Sequence, residues 1–363
     1  MQTIRVLADD LTGALDSAAQ FTGLLGPIPV FLHLPAPLPA GHAALDAGCR
    51  DAPASAAVAA MRQAATFLDQ ALAFKKIDSL LRGNWAAECA ALLESGHYRS
   101  VVLAPAFPDQ GRITRAGRQW IRTSGGEWEC LTTDPAQALA AFGLQTRTMR
   151  PGSDLLEAEA RTVLLADAAT ADDLLNVVAQ GRGLPQPVLW LGSAGLARAL
   201  AGAGPASFPT TEGPVLALIG SAHPAMLRQI EHAQDHKDVA FCPIGADVPK
   251  SAADLRAALD GGRSCLALFT LPAGMAASAA AEVIAARLGV LARQLPNFPT
   301  LMVAGGETLR ALCLAAGAAS LIVEGQFSPG VPRSRIVGGL LDGQVVVSKS
   351  GAFGEPDFLA AML

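Results

Sequence analysis

Aromatic residues are few in this chain, 5% of 363 with a single tyrosine, and charged residues make up only 16%. Ala, Gly, Val and Leu do most of the filling, and such small side chains let helices pack closely on parallel strands. No block of one sign runs along the sequence, whose formal net charge is −5. A nucleic-acid groove would need a basic stripe, so nucleic acid is excluded as a partner. A small anion is not, because a few local Arg or Lys residues can hold a carboxylate or phosphate. The six cysteines (Cys49, Cys89, Cys130, Cys242, Cys265 and Cys313) include no C-x-x-C pair. That argues against structural zinc and for buried free thiols in a reducing compartment. No Gly-Lys dipeptide occurs, which excludes a Walker P-loop, and no G-x-G-x-x-G, which removes the fingerprint of a nucleotide-dependent dehydrogenase.

Signals for export or membrane insertion are lacking too. MQTIRVLADDLTG reaches two aspartates too soon for a signal peptide. One long uncharged stretch, residues 264–281, is broken by Pro272 and Gly274 and reads as a buried strand followed by a helix. A membrane span would need about 20 predominantly apolar residues. A cytoplasmic protein without membrane contact is expected.

What is present is hydrophobic material, 51% of the chain, in runs that alternate between two periods. TIRVLA precedes LDSAAQFTGLL, TVLLAD precedes DDLLNVVAQ, and PVLWLG precedes SAGLARALA, with SVVLAP a further strand. Strands followed by helical periodicity are the βαβ signature of a mostly parallel sheet. Residues 201–214, AGAGPASFPTTEGP, mark a boundary, after which the pattern restarts and ends in a β-rich tail. The expected architecture is two α/β domains, 1–205 and 214–363, with mostly parallel sheets and a ligand cleft between them. Ligands of such sheets sit at the carboxyl ends of the strands.

Several strand ends carry chemistry. Asp9 and Asp10 close the first strand before Thr12 and Gly13 and a helix expected near Ala14. Two adjacent carboxylates there serve a metal, substrate hydroxyls or a proton transfer, or one of them caps the helix. The expectation is that Asp10 faces the cleft and Asp9 the backbone of the Thr12-Gly13 turn. In KKIDSLLRGNWAAE, after an apolar helix ending at Phe74, residues Lys75, Lys76, Asp78, Ser79, Arg82 and Asn84 crowd together. The Gly83-Asn84 turn opens the next helix, and Arg82 can grip a carboxylate; a plain capping loop fits equally. LAPAFPDQGRITRAGRQW reads as a loop stiffened by Pro and Gly and bearing Gln110, Arg112 and Arg118. Further on, Gly220-Ser221, Gly305-Gly306-Glu307-Thr308 and Ser350-Gly351 sit at strand-to-helix turns. Glycine there admits close approach by phosphate, although tight turns use glycine everywhere. His232 and His236 lie four apart on an exposed helical face, and Ser193 reads as a helix opening rather than a nucleophile.

Together these segments resemble the four-carbon acid sugar kinases, a family that includes 3-oxo-tetronate and D-threonate or D-erythronate kinases. The resemblance rests on ADDLTGALD (8–16), KKIDSLLRGN (75–84), APAFPDQGR (104–112), LGSAGLA (191–197), GSAHP (220–224), AGGETLRAL (304–312) and VVSKSGAFG (346–354), in order along nearly the whole chain. Leu80 stands where the family usually carries Thr. The resemblance implies an N-terminal sugar-acid domain and a C-terminal nucleotide domain, with ATP contacts at Ser221, Gly305, Gly306, Glu307, Thr308 and Gly351. It also implies substrate contacts at Asp9, Thr12, Arg50, Lys76, Arg82, Asn84 and Arg112, with Asp10 or Asp78 taking the hydroxyl proton. Mg²⁺ bridging the phosphates is expected, its ligands unassigned and Glu307 a candidate. A homodimer is left open. The competing reading is a non-catalytic sensor of sugar acid or nucleotide on the same fold.

Overall fold

Short apolar runs form the strands, and many are buried at every position, as strands covered by helices on both faces must be. The computed structural model describes all residues but 1, 70, 124, 151, 153–160, 212, 235–238, 273 and 296–299. These fall into two compact units, Met1–Pro205 and Ala206–Leu363. Both are α/β.

In the first unit the strands are β1 (Ile4–Ala8), β2 (Ile28–Phe31), β3 (Ala43–Asp46), β4 (Leu72–Lys76), β5 (Ser100–Ala104), β6 (Arg112–Arg115), β7 (Arg118–Arg122), β8 (Trp128–Cys130), β9 (Gln145–Met149), β10 (Thr162–Ala166) and β11 (Val188–Gly192). Its helices are α1 (Leu11–Leu25), α2 (Ala54–Ala64), α3 (Trp85–Leu93), α4 (Pro135–Ala140), α5 (Ala171–Arg182) and α6 (Ala194–Ala201). The main sheet runs β2-β3-β1-β4-β11-β5-β10-β9, every pairing parallel. Helix starts are fixed locally. Asp10 caps α1, Ser193 caps α6, and Thr170 with Asp173 forms a capping box on α5. From β1 the chain moves out to β2, returns to β3 beside β1, then crosses to β4 on the other side of β1. That reversal is a topological switch point, where the loops leaving neighbouring strands diverge and open a crevice.

The second unit contains β12 (Val215–Ile219), α7 (Pro224–Gln234), β13 (Ala240–Phe241), α8 (Val248–Asp260), β14 (Cys265–Leu268), α9 (Ala277–Ala292), β15 (Thr300–Ala304), α10 (Gly306–Ala316), β16 (Ser320–Ser328), β17 (Val331–Val337), β18 (Val345–Lys349) and α11 (Phe358–Met362). Its order is β13-β14-β12-β15-β18-β17-β16, parallel through β18 and antiparallel beyond it. Ile219 pairs with Ala304, and Ala304 with Lys349. This register sends the turns after β12, β15 and β18 out side by side.

Three local expectations are corrected. The run through Phe74 is not a helix: α2 ends at Ala64, a 3₁₀ turn covers Ala65–Leu68, and Leu72–Lys76 is β4. Its place between β1 and β11 buries both faces, which erases the alternation that would separate strand from helix. Helix α1 starts at Leu11, three residues before Ala14, because Asp10 takes the cap. The segment after β5 is no irregular loop; past a 3₁₀ turn it forms β6 and β7, which pair antiparallel with β8. Five of the six cysteines are buried, Cys130 is half-buried, and all are free thiols. Among the described residues no helix is long and apolar enough to cross a membrane.

Candidate functional site

The switch point of the first unit gathers charge from three stretches of chain. Asp9 and Asp10 follow β1, Arg50 follows β3, and Lys75, Lys76, Asp78 and Arg82 lie on or after β4. Asp9 is fully buried (0%) and accepts a two-pronged grip from Arg50, Nε to Oδ2 at 2.9 Å and Nη2 to Oδ1 at 2.8 Å. Asp10 Oδ1 accepts the Gly13 amide at 2.8 Å. Its Oδ2 accepts Thr12 Oγ1 at 2.6 Å and Arg50 Nη1 at 2.5 Å. The expected division of labour is therefore overturned: Asp10, not Asp9, binds the turn backbone. The reason is the helix start at Leu11, which makes residue 10 the cap.

Asp78 accepts the Leu80 amide at 2.7 Å on Oδ1 and Arg82 at 2.6 and 3.1 Å on Oδ2, with Arg50 Nη1 at 3.7 Å. Arg82 keeps over half of its side chain (55%) in solvent, so its fork has capacity for an incoming anion. Leu81, between them, is held at φ +58 although it is not glycine, strain of the kind found at ligand-binding turns. Lys76 Nζ donates to the Ile77 carbonyl at 2.9 Å, and Asn84 Nδ2 to the Ala52 carbonyl at 2.8 Å. The lysine thus serves its own loop, and the asparagine ties that loop to the one after β3. Arg112 is buried, and its guanidinium reaches back to the Gln110 carbonyl.

The electrostatics follow from this crowding. Burial works against the charge of Asp9, yet Lys75 and Arg50 hold its carboxyl at about 2. Burial also opposes the charge of Asp78, which the Arg82 hydrogen bond and Arg50 overcome, so it stays below the usual range. Burial would discharge Arg50, but Asp10 and Asp9 keep it protonated. Asp16, one turn into α1, goes the other way: burial lifts it to about 6 against the pull of Lys76.

Two participants lie outside the substrate contacts expected from the sequence. Lys75 and Glu88 form an ion pair of 2.8 Å with neither side chain exposed (0% each), and Cys49 Sγ bonds Glu88 Oε1 at 3.4 Å. A lone acid in the helix WAAECAALL and a lysine in the strand LAFKK were the available signals, since apolar elements carry such charges only in pairs.

The second unit holds a different arrangement. A Cβ on Gly220 would collide with the Thr308 side chain, and one on Gly351 with Ser221, at 2.7 Å from its Cβ. A Cβ on Gly305 would lie 3.2 Å from Thr308 Oγ1 and 3.7 Å from the Ser221 amide nitrogen. Gly220, Ser221, Gly305, Thr308 and Gly351 are thus neighbours around one spot, at the carboxyl ends of β12, β15 and β18. Gly305 adopts φ +116, ψ 122, open to glycine almost alone, and puts no side-chain cap on α10. Main-chain amides of the first helical turn have no partner within the helix, and beside them the Thr308 side chain packs against Gly220 and Gly305 and the Ser221 side chain against Gly351. Gly306 and Glu307 stand in that first turn. Glycine backbone, two hydroxyl groups and a helix N-terminus thus meet at one spot, a combination of groups that can cradle an anion. His232 is exposed on α7, while His236 lies outside the described residues. No group of three or more His, Cys, Asp or Glu able to hold a metal occurs among the described residues.

Comparison with known proteins bears on both units. A family model described as a sugar-binding N-terminal domain matches residues 4–150, and one described as a nucleotide-binding C-terminal domain matches residues 216–359. The D-threonate kinase of Cupriavidus necator is 32% identical, with 96% of this chain and 94% of that protein covered. The 3-oxo-tetronate kinase of Pseudomonas savastanoi pv. phaseolicola is 28% identical, with 98% and 96% covered. A Haemophilus influenzae protein known from its crystal structure superposes with a TM-score of 0.69 at 18% identity over 98% of each chain, which marks a shared fold.

Proposed function

Since the chain belongs to the four-carbon acid sugar kinase family, we propose that it transfers the γ-phosphoryl group of ATP to the terminal hydroxyl of a four-carbon sugar acid. The observation that carries this reading is the glycine cradle of the second unit. Glycine backbone from three strand ends and the Ser221 and Thr308 hydroxyl groups meet at one spot, which suits a polyphosphate. Ser221, Gly305, Gly306, Thr308 and Gly351 would line the phosphates. Mg²⁺, when bound, would neutralise phosphate charge; with no group of three or more acidic, His or Cys side chains able to hold a metal among the described residues, it would arrive on the nucleotide and keep several waters, Glu307 being the acidic residue of the cradle.

At the first unit the sugar-acid carboxylate would be taken by Arg82, whose fork is half in solvent, with Arg50 behind it. Thr12, Lys76, Asn84 and Arg112 shape the loops around that position. Engaging Arg82 with a second carboxylate loosens its hold on Asp78 Oδ2. Asp78 then becomes the better acceptor for the hydroxyl proton. Asp10 has both oxygens committed to the turn and to Arg50, so we assign it to positioning. Phosphoryl transfer asks little of a base and much of alignment and charge, which a rigid charge lattice supplies.

A coupled ADP-release assay with D-threonate, D-erythronate and 3-oxo-tetronates tests the proposal. ADP formation that depends on one of these acids is expected. Binding of both ligands with no turnover would favour the sensor instead.

A further inference from the structure

Lys349 lies inside the second unit with no exposed surface (0%), immediately before Ser350 and Gly351. Among the described residues no carboxylate meets it. Its Nζ donates to Gln229 Oε1 at 3.0 Å and stands 5.5 Å from the centre of the Phe358 ring. Burial with no anion to offset it brings the ammonium down to about 7. A poorly solvated amine is expensive to keep in an interior, so its retention calls for a return elsewhere.

The return is visible at Gln229, which is itself fully buried (0%) on α7. With its carbonyl oxygen held by Lys349, the amide turns its Nε2 to the carbonyls of Phe353 at 3.0 Å and Gly354 at 2.8 Å. The loop after β18 is thereby tied to α7, the helix that begins just past Ser221. Ser221 occupies the place that a Cβ of Gly351 would need. We infer that Lys349 and Gln229 are positioning residues of the nucleotide site: the Lys349–Gln229 strut pins residues 350–354 to α7 and so holds Gly351 against Ser221. This rests on the reading of the cradle as the phosphate site.

The strut separates nucleotide binding from stability in a way that substitutions can read. Gln229→Met removes the two ties to the loop and is expected to raise the KM for ATP roughly 5- to 30-fold. The KM for the sugar acid and kcat at saturating ATP should stay within about twofold. Lys349→Met alone leaves the Gln229 carbonyl unpaired in the interior and should lower Tm. The double substitution Lys349→Met/Gln229→Met removes both polar partners together and should recover Tm, while the KM for ATP stays raised. A pair that served folding alone would recover KM along with Tm. Wild-type KM for ATP in Gln229→Met, or in the double variant, overturns the strut. ADP calorimetry on the wild-type protein tells this failure from the other: if it binds no ADP, the cradle is no phosphate site and the inference falls with that reading.

Discussion

Arg50 faces three carboxylates, Asp9, Asp10 and Asp78, and the roles at the N-terminal site follow from how it is shared. Asp9 is spent on the two-pronged pair and Asp10 on the helix cap, which leaves Asp78, bound to the half-exposed Arg82, as the carboxylate a substrate can free. Asp78→Asn is therefore expected to cut kcat by roughly 10²–10⁴ with ATP affinity near wild type. Asp10→Asn, which can still cap α1 through its amide oxygen, should cost far less in kcat. Steady-state kinetics on the two variants decide, and the opposite ranking would return Asp10 to the role of base. Asp16 offers a pH test. Its folded-state carboxyl titrates at about 6, above the ordinary 3.8, so the native state binds the proton more tightly than the unfolded one. Stability should fall as pH rises from about 4 to 6, and the full cost persists above that. Asp16→Asn should accordingly gain up to about 3 kcal/mol at pH 7.5, the size of the shift itself, in which the attraction to Lys76 is already counted. Urea titrations should show that gain vanish near pH 4; an equal gain at both pH values would mean that the carboxyl is not titrating there.

At the level of elements, legibility depended on whether one segment carried its own signal. The strand-turn-helix units at β1-α1, β10-α5, β11-α6 and β15-α10 could be read because apolar runs are followed by a capping residue or glycine within one to four residues. Strand β4 could not, since burial on both faces removes the period-2 pattern. Pairings between segments stayed hidden as well. Nothing along the sequence says that Glu88 on α3 meets Lys75 on β4, and the glycine turns become a cradle only through the register of β12, β15 and β18. Gly305 connects the two levels, being needed by the chain for its backbone conformation and, on the proposed reading, by the nucleotide. Gly305→Ala places an L-residue at φ +116 and a methyl group 3.2 Å from Thr308 Oγ1. It should cost about 1–3 kcal/mol of stability and raise the KM for ATP at least about tenfold. Gly262→Ala, at φ +76 in an exposed turn with nothing within 4 Å of its Cβ position, is the control. Denaturant unfolding should show a loss of similar size in both variants, and kinetics a nucleotide defect only at Gly305. An ATP defect in the Gly262 variant would reduce the Gly305 effect to one of stability.

At the scale of the whole molecule, the two units have separate hydrophobic cores, one centred on residues such as Leu103, Leu165 and Leu189, the other on Met302, Val347 and Leu359. The proposed ligands divide between them, and the sequence contains a probe that sees only one. All four tryptophans, Trp85, Trp120, Trp128 and Trp190, and the single tyrosine, Tyr98, lie before residue 206. Intrinsic fluorescence therefore follows the unfolding of Met1–Pro205, whereas far-UV circular dichroism follows both units. A ligand at about 100 times its Kd stabilises the unit that binds it by about 2.7 kcal/mol. For units of this size that corresponds to a rise of about 5–10 °C in the transition of that unit. The sugar acid that supports ADP release should move the fluorescence transition by this amount. ADP with Mg²⁺ should move a transition seen by circular dichroism and leave fluorescence almost unchanged. An equal shift of both probes by ADP would defeat the prediction: either the units unfold as one, or the nucleotide is held by the tryptophan-bearing unit. Limited proteolysis tells these apart, since protection by ADP confined to peptides after residue 205 points to joint unfolding, and protection confined to peptides before it relocates the nucleotide.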